Sequence, residues 1–143
     1  MILQEQAKLA KASSYQMMIL PTATKDHALV KMADALEKNA AVILKENEKD
    51  ILAAREAGQS EALLDRLRLD ENRIRGMAGG LRKVAALPDP VGGEDFSILR
   101  PNGLRISKRR VTLGVVGIIY EARPNVTSDA IGLCLKSSNA MIL

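Results

Sequence analysis

The sequence predicts an α/β fold: a helical N-terminal half packed on the start of an open, parallel, Rossmann-like sheet, with a protruding β-hairpin. Three observations carry this expectation. Apolar residues recur at helical spacing from residue 1 to about residue 87. From Phe96 to Ile119 β-branched residues alternate with polar ones. The tail after Val115 then reads strand, loop, helix, strand, which is one crossover unit. The implied organisation is a helical part over 1–94, a hairpin over 95–112 and a β-α-β unit over 113–143.

The first helix is expected over Leu3 to Leu20, ended by Pro21, and the second from Thr22 or Thr24, whose hydroxyls can cap free N–H groups. Its inward stripe is Ala28, Leu29, Met32, Ala33 and Leu36. Asn39 interrupts the pattern before Val42, Ile43, Leu44, Ile51 and Leu52 resume it towards Gly58, a C-terminal cap. Ser60 caps a short helix through Leu67. Asp70 caps another, with Ile74, Met77, Leu81 and Val84 inward, ending before Pro88 and Pro90.

Pro101-Asn102-Gly103 is a turn signal, because proline presets its φ angle and Asn-Gly tolerates positive φ; Ser97–Leu99 and Leu104–Val111 should pair across it. Val115 to Tyr120 is nearly all apolar, as suits a strand buried on both faces. Val126 to Lys136 returns to helical spacing, and Asn139 to Leu143 opens another strand. Two parallel strands leave edges and an apolar face uncovered, so more chain is expected to follow.

Composition narrows the functional classes. Of the 143 residues 47% are hydrophobic and 27% charged, which suits a soluble domain with a core, and only 2% are aromatic, which disfavours nucleic-acid readers that stack bases on rings. The net charge of +4 is too small an excess to name a partner. Cys134 is the only cysteine, so neither an internal disulfide nor a cysteine cluster for zinc can form, and a reducing, cytoplasmic setting is expected. The first 20 residues carry Gln4, Glu5, Gln6, Lys8 and Lys11, unlike a secretory or membrane-spanning segment.

The run Leu113-Gly-Val-Val-Gly-Ile-Ile-Tyr-Glu-Ala-Arg-Pro-Asn-Val-Thr127, continued by Leu133-Cys-Leu-Lys-Ser-Ser-Asn-Ala-Met-Ile-Leu143, closely resembles the signature region of gamma-glutamyl phosphate reductases. Lys31-Met-Ala-Asp-Ala-Leu36, Leu63-Leu-Asp-Arg-Leu67 and Ala86-Leu-Pro-Asp-Pro-Val-Gly92 resemble the same family in the expected order. The resemblance covers essentially the whole chain. It implies an aldehyde dehydrogenase superfamily fold, with a cofactor-binding domain, a catalytic domain lying outside this chain, and an oligomerisation arm to which the hairpin belongs. It implies NADPH-dependent reduction of L-glutamate 5-phosphate to glutamate 5-semialdehyde with loss of phosphate, as a step of proline biosynthesis. A homo-oligomer and functional coupling to a glutamate 5-kinase are further implications. The family's cysteine nucleophile, which forms a thioester that accepts hydride, lies beyond residue 143, so the 143 residues alone are expected to be inactive.

Within the motif, Asn125 resembles the superfamily asparagine whose neutral amide helps to hold an oxyanion; its other reading is an N-cap for a helix starting at Val126. Arg123, beside that helix N-terminus, either anchors the phosphorylated substrate or pairs with Glu121. By resemblance Ile118, Ile119 and Tyr120 border the nicotinamide cofactor, outside the carboxyl end of their strand. No glycine-rich dinucleotide fingerprint is present, which agrees with the superfamily.

Cys134 shares a helical face with Ala130, Ile131 and Leu135 and reads as core. His27 reads as a surface residue with no metal partners. Arg100, Arg105, Lys108, Arg109 and Arg110 concentrate charge on the hairpin, where an arm facing a partner subunit competes with a phosphate-backbone contact patch. The rival classes are therefore a helical interaction or nucleic-acid-binding module, an aldehyde dehydrogenase of other substrate, and the reductase half of a fused synthetase.

Overall fold

The structure, a computed structural model, describes residues 2–121 and 123–143. Its elements in chain order are α1 (Leu3–Met17), α2 (Thr22–Lys38), α3 (Ala40–Glu56), α4 (Glu61–Leu67), α5 (Glu71–Ala86), β1 (Glu94–Leu99), β2 (Arg105–Arg109), β3 (Val115–Gly117), α6 (Pro124–Lys136) and β4 (Ala140–Ile142).

Most local stop and start signals act as expected, but not the threonine cap of α2: its N-cap is Pro21, with no side-chain capping bond, and the Thr22 hydroxyl donates to Asp89 Oδ2 at 2.6 Å instead. Asn39 separates α2 from α3, its Nδ2 donating to the Ala35 carbonyl at 2.7 Å. Ser60 and Asp70 cap α4 and α5 by accepting from the Leu63 and Arg73 N–H groups at 3.4 and 2.7 Å. Helix α1 stops three residues short of Leu20, and only Ser14 on it is buried, so its apolar residues do not form a deep stripe.

The core lies where α2, α5 and α6 meet. Leu29 and Ala33 of α2 pack on Ala78, Leu81 and Ala85 of α5, with Met32, Leu36, Val84 and Leu135 around them. Gly132 lets α6 approach closely: a Cβ there would sit 2.8 Å from Leu81 Cδ2 and 3.8 Å from Leu29 Cδ2. Cys134 is buried on the same helix, and burial pushes its thiol pKa up, as expected of a core residue.

Strands β1 and β2 pair antiparallel, Ile98 opposite Ile106 and Leu99 opposite Arg105, around the turn at Pro101-Asn102-Gly103. Gly103 takes φ 84°, its N–H donating to the Arg100 carbonyl at 2.9 Å. Every residue of both strands is exposed, so the hairpin stands clear of the core.

Strands β3 and β4 run parallel, Val115 beside Ala140 and Gly117 beside Ile142. The strand expected from Val115 to Tyr120 is thus only three residues long, because β4 offers it a partner over just that length. It is also not buried on both faces: its two valines are half-buried and Ile119, beyond its end, is fully exposed.

A buried polar network, invisible in the apolar pattern, ties α2 to the turn between α6 and β4. Lys25, 1% exposed, donates to the Lys136 carbonyl at 3.1 Å and the Ser138 hydroxyl at 2.9 Å, and pairs with Asp89 at 2.5 Å. Lys136, 4% exposed, reaches back to Asp26 at 2.5 Å and to the Ala85 carbonyl at 2.8 Å. Asn139 completes the turn: its Oδ1 accepts from the N–H groups of Leu113 and Gly114 at 2.7 and 2.9 Å, and its Nδ2 donates to Ser137. The entrance to β3 is therefore held by a side chain at the entrance to β4. Asn139→Ala leaves two N–H groups without this acceptor and is expected to cost about 2–4 kcal/mol, read from urea denaturation. A loss below 1 kcal/mol would contradict the role given to Asn139.

At Asp89 burial opposes ionisation, but hydrogen bonds from Lys25, Thr22 and the Val91 N–H, together with the Lys25 charge, outweigh it and hold the pKa down to about 2. A carboxyl lowered on folding adds stability above its unfolded pKa, near 3.8, and loses it as pH falls through about 2. Stability should therefore drop between those values on acidification, and Asp89→Asn should flatten that part of the profile in pH-dependent thermal unfolding.

Candidate active site

Strand β3 delivers the chain to a loop at its carboxyl end, where Ile118 extends the pairing by donating its N–H to the Ile142 carbonyl at 3.0 Å. Helix α6 then starts at Pro124, whose fixed φ and missing N–H suit the first helical position. The N-cap is Arg123, with no side-chain capping bond. Asn125 consequently lies inside the first turn and does not cap a helix beginning at Val126. Its side chain is exposed and Nδ2 donates to Asp129 Oδ2 at 3.2 Å, one turn along the helix.

Asn125 and Arg123 line one cavity of about 430 Å³ between the start of α6 and the α4–α5 corner. Asp129 lines it from α6; Asp65, Arg66, Arg68 and Arg73 line it from the corner. Four arginines against two aspartates make it favourable to anions. Arg73 is already committed to the corner, donating to Asp65 Oδ1 at 3.0 Å and to the Asp65 and Arg68 carbonyls. Arg66, Arg68 and Arg123 have no such partner among the described residues. Among the described residues Arg123 and Glu121 form no ion pair; Glu121 lines a different, smaller cavity with Gln59, Leu63 and Leu67.

Ile118, Ile119 and Tyr120 do not line this cavity. They form the edge at the carboxyl end of β3, with Ile119 fully exposed and the Tyr120 hydroxyl hydrogen-bonded to Thr127. Asn125 and Arg123 are thus brought together, and the three edge residues stand on a separate approach. Neither the cationic corner nor Asp129 stands out in the sequence; the four-residue spacing of Asp129 from Asn125 is the one local signal for their pairing.

On the hairpin, Arg110 pairs with Asp95 at 2.5 Å and Arg105 with Glu94 at 3.6 Å, so two of its five cations are countered by acids on the neighbouring strand. His27 is exposed. Among the described residues no group of His, Cys, Asp and Glu side chains is placed to hold a metal, and no helix is long and apolar enough to cross a membrane.

No protein-family model matches the chain. Among known proteins it is 55% identical, over all 143 of its residues, to the gamma-glutamyl phosphate reductase of Caldanaerobacter subterraneus subsp. tengcongensis, covering 34% of that protein. The likeness is to the N-terminal part of gamma-glutamyl phosphate reductases. The reductase of Moorella thermoacetica is 60% identical over 124 residues, covering 87% of this chain and 30% of that one. The crystal structure of the Thermotoga maritima gamma-glutamyl phosphate reductase superposes with a TM-score of 0.94 at 41% identity, over 97% of this chain and 34% of that one. The Saccharomyces cerevisiae gamma-glutamyl phosphate reductase gives 0.94 at 33% identity, over 98% and 36%. The chain therefore spans about a third of the length of these relatives. The helical and small-sheet architecture expected from the sequence is the architecture of that part of the reductases.

Proposed function

We propose that these residues serve a gamma-glutamyl phosphate reductase, in which L-glutamate 5-phosphate is reduced by NADPH to glutamate 5-semialdehyde with release of phosphate. The observation that carries this reading is the 55% identity to such a reductase over all 143 residues, together with a cationic cleft at the first turn of α6. In this reading the cysteine nucleophile belongs to a part of the polypeptide outside residues 1–143, and these residues alone turn over no substrate.

Asn125 suits the carbonyl oxygen of the acyl phosphate. Asp129 engages one hydrogen of its amide, which leaves the second for an oxygen that gains negative charge as the carbonyl carbon is attacked. A neutral donor there stabilises that charge without perturbing the nearby aspartate. Arg123 suits the phosphate, for which a guanidinium offers paired donors beside the positive end of α6.

NADPH, when bound, supplies the hydride. The apolar edge formed by half-buried Ile118 with exposed Ile119 and Tyr120 fits an apolar ring face, and this is the cofactor border we assign. The projecting hairpin is assigned to an oligomerisation arm in a homo-oligomer, functional coupling to a glutamate 5-kinase is retained, and the setting is cytoplasmic.

The test is the full-length polypeptide with freshly generated L-glutamate 5-phosphate, following NADPH oxidation and phosphate release together. Failure of the two to appear in equal amounts sinks the reading. Arg123→Lys, which keeps the charge and loses the paired donors, is expected to raise KM about tenfold with a smaller change in kcat. An unchanged KM removes Arg123 from the substrate site.

A further inference from the structure

We propose that Asp129 recognises the α-ammonium group of the substrate, one helical turn beyond the amide that holds the reacting carbonyl; the assignment rests on the reductase reading above and names the residue that gives it amino-acid specificity. Asp129 stands in the same cleft as Asn125 and Arg123, exposed, with Oδ2 taken by the Asn125 amide at 3.2 Å. Its other oxygen faces α5 at Gly80, where a Cβ would lie 3.7 Å from Oδ1 with no other atom within 4 Å. Gly76, one turn earlier on α5, also lines the cleft, and a Cβ there would meet nothing within 4 Å.

Two glycines four residues apart inside a helix each cost about 1 kcal/mol relative to alanine, and no neighbouring protein atom demands them. Gly76 leaves room within the cleft, and Gly80, which does not line it, leaves room beside Asp129 Oδ1. The cleft is lined by the Asp129 carboxylate from α6 and by the guanidinium-bearing residues Arg66 and Arg68 from the α4–α5 corner. A zwitterionic head group, ammonium beside carboxylate, matches this lining better than an anion alone.

The amide and the carboxylate are adjacent, Asn125 Nδ2 lying 3.2 Å from Asp129 Oδ2. The reacting carbonyl carbon of a glutamyl group and its α-nitrogen are at most about 5 Å apart along a flexible chain, so one substrate can place its carbonyl oxygen on the amide and its ammonium group on the carboxylate.

The experiment compares L-glutamate 5-phosphate with glutaryl phosphate, which lacks only the α-amino group, in the full-length enzyme and its Asp129→Asn, Asp129→Ala and Asp129→Glu variants. Asparagine can still accept from Asn125, so it removes the charge and spares the amide contact. Wild-type enzyme is expected to favour the glutamyl compound by about 10- to 100-fold in kcat/KM, mainly through KM, as for a hydrogen bond to a charged group. Asp129→Asn should bring the two substrates within about threefold of each other by weakening the glutamyl compound; Asp129→Ala should also narrow the gap while slowing both, because it releases the Asn125 amide, and Asp129→Glu should restore part of the preference. Equal slowing of both substrates in Asp129→Asn, or a wild-type enzyme indifferent to the amino group, overturns the assignment of Asp129 while leaving the reductase reading intact. A wild-type enzyme that reduces neither compound overturns both.

Discussion

Under the proposed reductase function, Asn125→Ala in the full-length polypeptide is expected to lower kcat for L-glutamate 5-phosphate about 100- to 1,000-fold, with little change in KM. Loss of one preorganised donor to a developing oxyanion has that size, because the interaction strengthens as charge forms and contributes little to the ground state. Asn125 occupies the second position of α6 with its side chain free of any capping bond, so alanine there removes no cap and fits the helix well. Stability should consequently be unchanged or slightly raised. Steady-state kinetics paired with thermal unfolding separates the two effects. Loss of stability alongside full turnover would place Asn125 among the structural residues and leave the cleft without its central donor.

Lys25→Ala is expected to destabilise the fold by about 3–5 kcal/mol, a large share of the 5–15 kcal/mol that holds a typical domain together. Lys25 is 1% exposed, and its removal takes the counter-charge from the Asp89 carboxylate, which among the described residues keeps only Thr22 and the Val91 N–H, and a partner each from the Ser138 hydroxyl and the Lys136 carbonyl. It also opens the space of three methylene groups and the ammonium group. Lys25→Met fills most of that space while deleting the charge, which separates packing from pairing. Urea denaturation should rank wild type above Met and Met above Ala. A Met variant as stable as wild type would show that the buried pair adds nothing net, as occurs for some ion pairs.

The helices were legible because their signals are local. Ser60, Asp70, Asn39 and the Pro101-Asn102-Gly103 turn each act through hydrogen bonds within a few residues of themselves. What could not be read depends on partners far along the chain. The length of β3 is set by β4, some 25 residues later, and a lysine that seeks Asp89 and Ser138 looks from its own helix like any solvated cation. The site divided in the same way. The motif points to Asn125 and Arg123, and both line one cleft, yet the apolar pattern places the helix start at Val126 because it does not mark Pro124 as a first helical residue. Arg66 and Arg68 reach the cleft only through the packing of the α4–α5 corner, which no local pattern announces.

Ser138 is fully buried and holds a left-handed backbone, φ 57°, a conformation that costs a residue with a side chain about 1–2 kcal/mol. Its hydroxyl is the acceptor that Lys25 reaches. Glycine would relax the backbone but leave the lysine one acceptor short, and most larger residues would aggravate both problems. The position is therefore narrow in sequence space, and drift at residue 138 is coupled to residue 25: the two are expected to change together or not at all.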